Sequence, residues 1–157
     1  MEFPLTAEFA TMNSSRVITL EETESTNDDL VALAAAESVP EFTVVATTSQ
    51  TAGRGRLGRA WVAPPGTSLA VSVLLRPQDA HVPLDRYGWI PLVAGLAMAR
   101  AVRVLLPEAQ VALKWPNDVL VDGLKISGVL SELLPDGRSV VIGAGLNLTI
   151  SADALPV

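Results

Sequence analysis

At 157 residues, 49% of them hydrophobic and 18% charged, the chain is long enough for one domain to bury a sizeable core and too apolar to be disordered as a whole. A net charge of −6 argues against a general nucleic-acid binder, which needs a basic face. Without cysteine there is no disulfide framework, no thiolate zinc ligand and no thiol nucleophile, which fits a reducing cytoplasm; with His81 as the only histidine, a histidine triad or metal cluster is also excluded.

Residues 1–15 read as a loosely ordered tail that lacks the apolar run of a secretory segment and carries Glu2 and Glu8. A strand is expected over Arg16–Leu20. After it, Ser25, Thr26, Asn27, Asp28 and Asp29 supply capping side chains and first-turn acids to a helix that continues through Leu30, Val31, Leu33 and Ala34. The same hydroxyls and free N–H groups at a helix start can also face a polar ligand, and the sequence leaves both uses open.

Phe42–Thr48 is the next expected strand. It delivers the stretch about which the chain is organised, Thr47–Trp61, with Gln50 at the strand exit and Gly53, Arg54, Gly55, Arg56, Gly58 and Arg59 in a short loop. Glycine allows close backbone approach and guanidinium offers a planar fork for carboxylate or phosphate, so the loop is suited to a small anion. The string satisfies G-x-G-x-x-G, but a dinucleotide turn needs a helix on its far side. Here the loop runs through Ala60, Trp61 and the turn Pro64-Pro65-Gly66 into an alternating strand, Thr67–Leu75. No Gly-Lys-Ser/Thr follows, so a Walker loop is excluded as well.

Arg76–Arg86 is a Pro-containing linker. Trp89, Leu92, Val93 and Leu96 then recur at helical spacing within Tyr87–Leu106, and the run Trp89–Ala99, too short to span a bilayer, is expected as a buried helix. Arg100 and Arg103 sit near its C-terminus as structural cations. The last third is a β meander: Val111–Trp115, the polar turn Pro116-Asn117-Asp118, Val119–Val121, the hairpin signal Asp122-Gly123, Leu124–Leu134, the turn Pro135-Asp136-Gly137, and Ser139–Leu148. The fold class is therefore α+β, a mixed or antiparallel sheet with helices against one face. Lys114 and Lys125 stand out beside turns, where a lysine is either a solvated edge residue or a functional cation. Asn147, polar in an apolar strand, is either a ligand contact or a satisfied core amide.

Four segments, ESTNDDL (24–30), TSQTAGRGRLGRAW (48–61), KWPNDVLVDGLKISGVLSEL (114–133) and VIGAGLNL (141–148), together resemble the catalytic domain of bacterial biotin protein ligases, over about Val17 to Thr149. The resemblance implies a fold related to class II aminoacyl-tRNA synthetases and lipoyl-transfer enzymes. It also implies a two-step reaction: biotin and ATP give biotinyl-5′-AMP and pyrophosphate, and biotin then passes to one lysine of a biotin carboxyl carrier domain. On that basis Ser25, Thr26, Asn27 and Gln50 would hydrogen-bond biotin, joined by Gly128. Gly53, Arg54, Gly55 and Arg56 would wrap the biotin carboxylate and the phosphates, and Trp61 would pack on adenine. Lys125, in the K-x-x-G block, would bridge carboxylate and α-phosphate. Lys114, Asn117, Asp118 and Asn147 would line the nucleotide side, with Asp118 a ligand for Mg²⁺ or a base for the acceptor lysine. The catalytic set so implied is Lys125, Arg54 and Asp118.

Further expectations concern the ends and the partners. The segment before Arg16 is too short for the DNA-binding domain some family members carry, so no DNA binding is expected, and no membrane association. Residues 16–157 would be a catalytic domain that stops short of the family's C-terminal region. A homodimer through an exposed sheet edge is compatible with the sequence, which does not locate that edge. The competing readings are a non-catalytic biotin-binding fragment and a lipoate or octanoate transferase of the same superfamily.

Overall fold

The computed structural model describes residues 16–150; the tail expected over 1–15 lies outside the described residues. Strand β1 (Val17–Leu20) leads to helix α1 (Thr26–Ala36), then β2 (Val44–Thr47). Two-residue strands β3 (Gly53–Arg54) and β4 (Ala60–Trp61) pair with each other, and β5 (Ser68–Leu75) follows. Helix α2 (Ile90–Leu105) comes after a 3₁₀ turn at Leu84–Trp89, and β6 (Val111–Lys114), β7 (Asp118–Val121), β8 (Leu124–Leu133) and β9 (Val140–Asn147) complete the chain. The main sheet has seven strands in the order β1-β2-β5-β9-β8-β7-β6, with β1 and β2 parallel and the other neighbours antiparallel. The expected mixed sheet and its terminal meander are both present.

Helix α1 starts where the capping residues predict. Ser25 has extended backbone angles, and its side chain accepts a hydrogen bond from the Asp28 N–H at 3.4 Å, while Asp28 and Asp29 occupy the first turn. Leu30, fully buried, carries the helix into a core with Val45, Leu74 and Val141.

The placement of the helices corrects the sequence expectation. Val141 of β9 belongs to the core under α1, whereas its neighbours Val140 and Ile142 join Tyr87, Val129, Ile90 and Ala94 in a second core. Successive strand residues point to opposite faces. The helices therefore lie on opposite faces of the sheet, not on one. A strand such as Val140–Ile142, apolar at every position, is what a sheet covered on both sides requires.

The expected buried helix needs a second correction. Trp89, Val93 and Leu96, the large residues whose spacing announced it, are exposed at 64%, 62% and 46%. The buried positions of α2 are Gly95, Ala99 and Val102, spaced i, i+4, i+7, and small residues there let the helix lie close to Leu113 of β6. The combined helical stretch Leu84–Leu105 is also, by length and composition alone, long and apolar enough to cross a membrane, which the shorter Trp89–Ala99 run is not. It packs by one side on β6, β7 and β8.

Candidate functional site

The register of the sheet builds the floor of a site on the face that carries α1. One row of cross-strand partners reads Thr47, Ala70, Gly145, Gly128, Asp118, Lys114 from β2 to β6. At about 4.8 Å between strands, three consecutive small residues leave a trough about 10 Å across, closed by charged groups at the β6 and β7 end. Lys125 reaches the same face by an irregularity. Asp118 pairs with Gly128 and Val119 with Ser127, but Leu120 pairs with Lys125, so Ile126 is an extra residue in β8. In a regular strand Lys125 and Gly128, three apart, would face opposite ways; the bulge brings them together. A methyl group on Gly128 would lie 3.2 Å from Lys125 Nζ and 3.5 Å from Asp118 Oδ1, so the glycine makes room for this pair. Lys125 Nζ and Asp118 Oδ1 are 2.9 Å apart without the alignment of a hydrogen bond, so the contact is an ion pair.

The uncharged end of the trough is set by backbone pairing between two loops. Thr23 bridges to Gln50, and the N–H groups of Thr51 and Ala52 donate to the carbonyls of Thr23 and Glu24. This brings the start of α1 beside the exit of β2. Gln50 Oε1 accepts from the Thr26 N–H at 2.9 Å and from its hydroxyl at 3.2 Å. Ser25, Thr26 and Asn27 are all buried, and Asn27 lies directly over Gly143. Ser72 Oγ on β5 is 2.6 Å from Asn27 Oδ1 and 2.8 Å from Thr26 Oγ1, and its one hydrogen serves them in turn.

The arginine loop is a tight hairpin in the described structure. Gly53 pairs with Trp61 and Arg54 with Ala60, so Ala60–Trp61 is a strand where the sequence suggested a continuing loop. Leu57 at the tip takes left-handed angles, φ 59° and ψ 35°, an unusual conformation for a branched side chain. Gly53 is buried, and any side chain there would strike Gln50 and the Trp61 carbonyl. The Trp61 indole covers Gly145 so closely that no Cβ fits on that glycine, and its buried N–H has no hydrogen-bond partner among the described residues.

Arg54 is held by two carboxylates, Glu132 at 2.9 and 3.0 Å and Asp28. Burial alone would lower the pKa of Arg54, but the hydrogen bonds and negative charge of Glu132, then of Asp28, raise it above the usual arginine value, so the group is always cationic. Arg56 donates to Asn117 Oδ1 at 3.0 Å, and Asn117 Nδ2 donates to the Val129 carbonyl at 3.0 Å, which ties the hairpin to the turn after β6.

These segments enclose a cavity of 380 Å³, within the size range of small-molecule sites. Ser25, Thr26, Asn27, Gln50, Arg54, Gly55, Arg56, Trp61, Lys114, Asn117, Asp118, Lys125 and Gly128 all line it. Of the residues singled out from sequence, Gly53 sits behind the wall and Asn147 does not line the cavity; Asn147 pairs with Ser68 at the end of β9. Sequence reading missed Gly143 and Gly145 as floor residues, although two glycines at i, i+2 in one strand signal close approach on a single face. It also missed Ser72 and Glu132, which carry no local signal.

The residues do not fit a resident metal. Among the described residues there is no group of three or more His, Cys, Asp or Glu side chains able to hold one, and Asp118 is already paired with Lys125. A divalent ion of the octahedral, oxygen-seeking kind is held by one or two carboxylates together with substrate phosphates, so these residues by themselves make no closed cage for it.

Known proteins are similar to this chain in sequence and fold. Residues 19–147 match the biotin/lipoate A/B protein ligase family. A biotin–[acetyl-CoA-carboxylase] ligase of Mycobacterium tuberculosis is 45% identical over 130 residues, covering 82% of this chain and 47% of that protein. The biotin protein ligase of Leishmania major in complex with biotinyl-5-AMP superposes with a TM-score of 0.73 at 32% identity, over 87% of this chain and 58% of the other. That of Aquifex aeolicus in complex with biotin and ATP gives 0.71 at 34% identity, over 88% and 56%. The chain thus spans about half the length of the relatives it matches. With the family match extending from β1 to the end of β9 and so across every wall of the cavity, the chain belongs to the biotin/lipoate A/B protein ligase family.

Proposed function

We propose that the cavity binds biotin and ATP and joins them as biotinyl-5′-AMP, releasing pyrophosphate, and that the biotinyl group is then transferred to a lysine of a biotin carboxyl carrier domain. The observation that carries this reading is the polarity of the trough. One end offers uncharged donors and acceptors on Ser25, Thr26 and Gln50, the middle is glycine and alanine, and the far end gathers Lys114 and Lys125, with Arg56 tied to the adjoining turn and Arg54 reaching in from the hairpin beside the start of α1. A ureido ring with an alkyl chain ending in a carboxylate matches that order. Attack of the carboxylate oxygen on the α-phosphorus forms the new P–O bond as the bond to pyrophosphate breaks. Fixed cations at that point stabilise the negative charge that gathers there. Lys125, on the face shared with Gly128, is the group suited to bridging both substrates, and Arg54 to holding the biotin carboxylate. Magnesium enters as the counterion of the nucleotide phosphates, as part of the substrate. In the second step the acceptor lysine amine displaces AMP from the acyl carbon, and Asp118 is the carboxylate at hand to receive its proton. The chain would act without DNA, in keeping with its net charge of −6, and in a reducing cytoplasm, in keeping with its lack of cysteine.

Calorimetry of biotin with and without ATP and magnesium, followed by mass detection of biotinyl-5′-AMP, tests this on the native chain and on Arg54→Ala. Adenylate formation that the substitution weakens is the expected result. Biotin binding without adenylate reduces the chain to a binding unit, and lipoyl- or octanoyl-adenylate in place of the biotinyl product moves it to the other branch of the family.

A further inference from the structure

We infer that Glu132 is the positioning residue of this site, holding Arg54 and Asn27 in the orientations their work demands. Glu132 projects from β8 on the cavity face, in the register row of Val141 and Leu74. Its Oε1 accepts from Arg54 Nη1 at 2.9 Å, and its Oε2 accepts from Arg54 Nη2 at 3.0 Å and from Asn27 Nδ2 at 2.5 Å. One carboxylate thus ties three separate segments: the arginine hairpin, the start of α1 and the sheet.

Each of these bonds fixes a choice that would otherwise be open. A guanidinium turns freely about its long stem, but a bidentate carboxylate holds it in one plane. The Asn27 amide has two orientations related by a flip. A carboxylate only accepts, so it must face the NH₂ group, which turns Asn27 Oδ1 toward Ser72, 2.6 Å away. Asp28 also bonds Arg54 but is the more open partner: its side chain is 59% exposed against 27% for Glu132. Asp28 therefore stands at the rim, where an arriving carboxylate or phosphate displaces it, while Glu132 keeps the guanidinium aligned. The geometry is independent of any reaction, and its use in adenylation rests on the ligase reading above.

Two readouts separate these levels. In the ligand-free chain, ¹⁵N NMR of arginine side chains should show the Arg54 Nη protons in restricted rotation, averaged in Glu132→Gln and still restricted in Asp28→Asn. For the reaction, Glu132→Gln should slow biotinyl-adenylate formation by up to about 100-fold, the effect of a misplaced group. In the Arg54→Ala background the same change should cost at least about ten-fold less, because one of its two partners is already gone and only the hold on Asn27 remains to be lost. Glu132→Asp, which keeps the charge on a shorter arm, should fall between, and serves if the glutamine variant does not fold. Unchanged Arg54 rotation in both Glu132 variants, or fully additive losses in the cycle, overturns the inference. A native chain with restricted Arg54 rotation that makes no biotinyl adenylate overturns the ligase reading and leaves the hold itself standing.

Discussion

Gly143→Ala puts one methyl group at the point where α1 meets the sheet. A Cβ on Gly143 would come within 3.0 Å of all three terminal atoms of the Asn27 amide, closer than non-bonded atoms tolerate. Asn27 has little room to withdraw, being 5% exposed and bound to Glu132 on one side and Ser72 on the other. Either α1 lifts from the sheet or the amide turns out of its bonds. Overpacking of this kind costs about 1–3 kcal/mol. For a domain of this size that lowers the melting temperature by roughly 3–10 °C. Because Ser25 and Thr26 move with Asn27, biotin affinity should fall at least ten-fold, or about 1.4 kcal/mol. Gly128→Ala is the control: its methyl would meet the flexible end of Lys125 at 3.2 and 3.3 Å, and a lysine tip can move aside. Differential scanning calorimetry with biotin titration on both variants decides the matter. A Gly143→Ala chain that melts and binds as the native one does, or a Gly128→Ala chain damaged equally in stability, would refute the argument that the glycines of the floor are placed by what lies over them.

Much of this was open to reading from the residues, and the failures have physical reasons. The meander was legible because Asp122-Gly123, with φ of 50° and 82°, is a two-residue turn that few other pairs can form. The start of α1 was legible because capping is local. The position of α2 was misread because spacing was counted on its largest residues, while the contact with the sheet was made by Gly95, Ala99 and Val102, whose value lies in being small. Opposite placement of the two helices was present in Val140–Val141–Ile142, apolar on both faces, but a strand alone does not say what covers it. In the site, the cations announced themselves by type. The spacing K-x-x-G held a further clue, since an odd separation puts Lys125 and Gly128 on one face only through a bulge. Glu132 and Ser72 were invisible, because their partners lie 45 to 105 residues away in sequence and only the sheet register brings them together.

Three further outcomes are expected. Lys125→Met should lower the rate of adenylate formation by about 100-fold or more while changing biotin affinity less than ten-fold, because its charge is needed chiefly where negative charge develops; equal losses in binding and rate would assign Lys125 to simple substrate binding. Gly123→Ala should cost about 1–2 kcal/mol in urea unfolding, since nothing lies within 4 Å of the added methyl and the cost is that of left-handed backbone alone. Gly123→Asn should recover part of that loss, and a failure to do so would point to a contact and not to φ. Asp136 offers a test in pH. Its slight burial would raise the carboxyl pKa, but the N–H groups of Ser139 and Arg138, at 2.9 and 2.8 Å, and the charge of Arg76 outweigh it and bring the pKa below its usual value. A carboxylate depressed on folding stabilises the native state above its unfolded pKa, and that contribution disappears as pH falls through the native one. Asp136→Ala should therefore be less stable than the native chain at pH 7, and the gap should narrow below about pH 4 as the native carboxylate takes up its proton. A gap of constant size from neutral to acid pH would mean that the turn depends on the shape of the side chain and not on its charge.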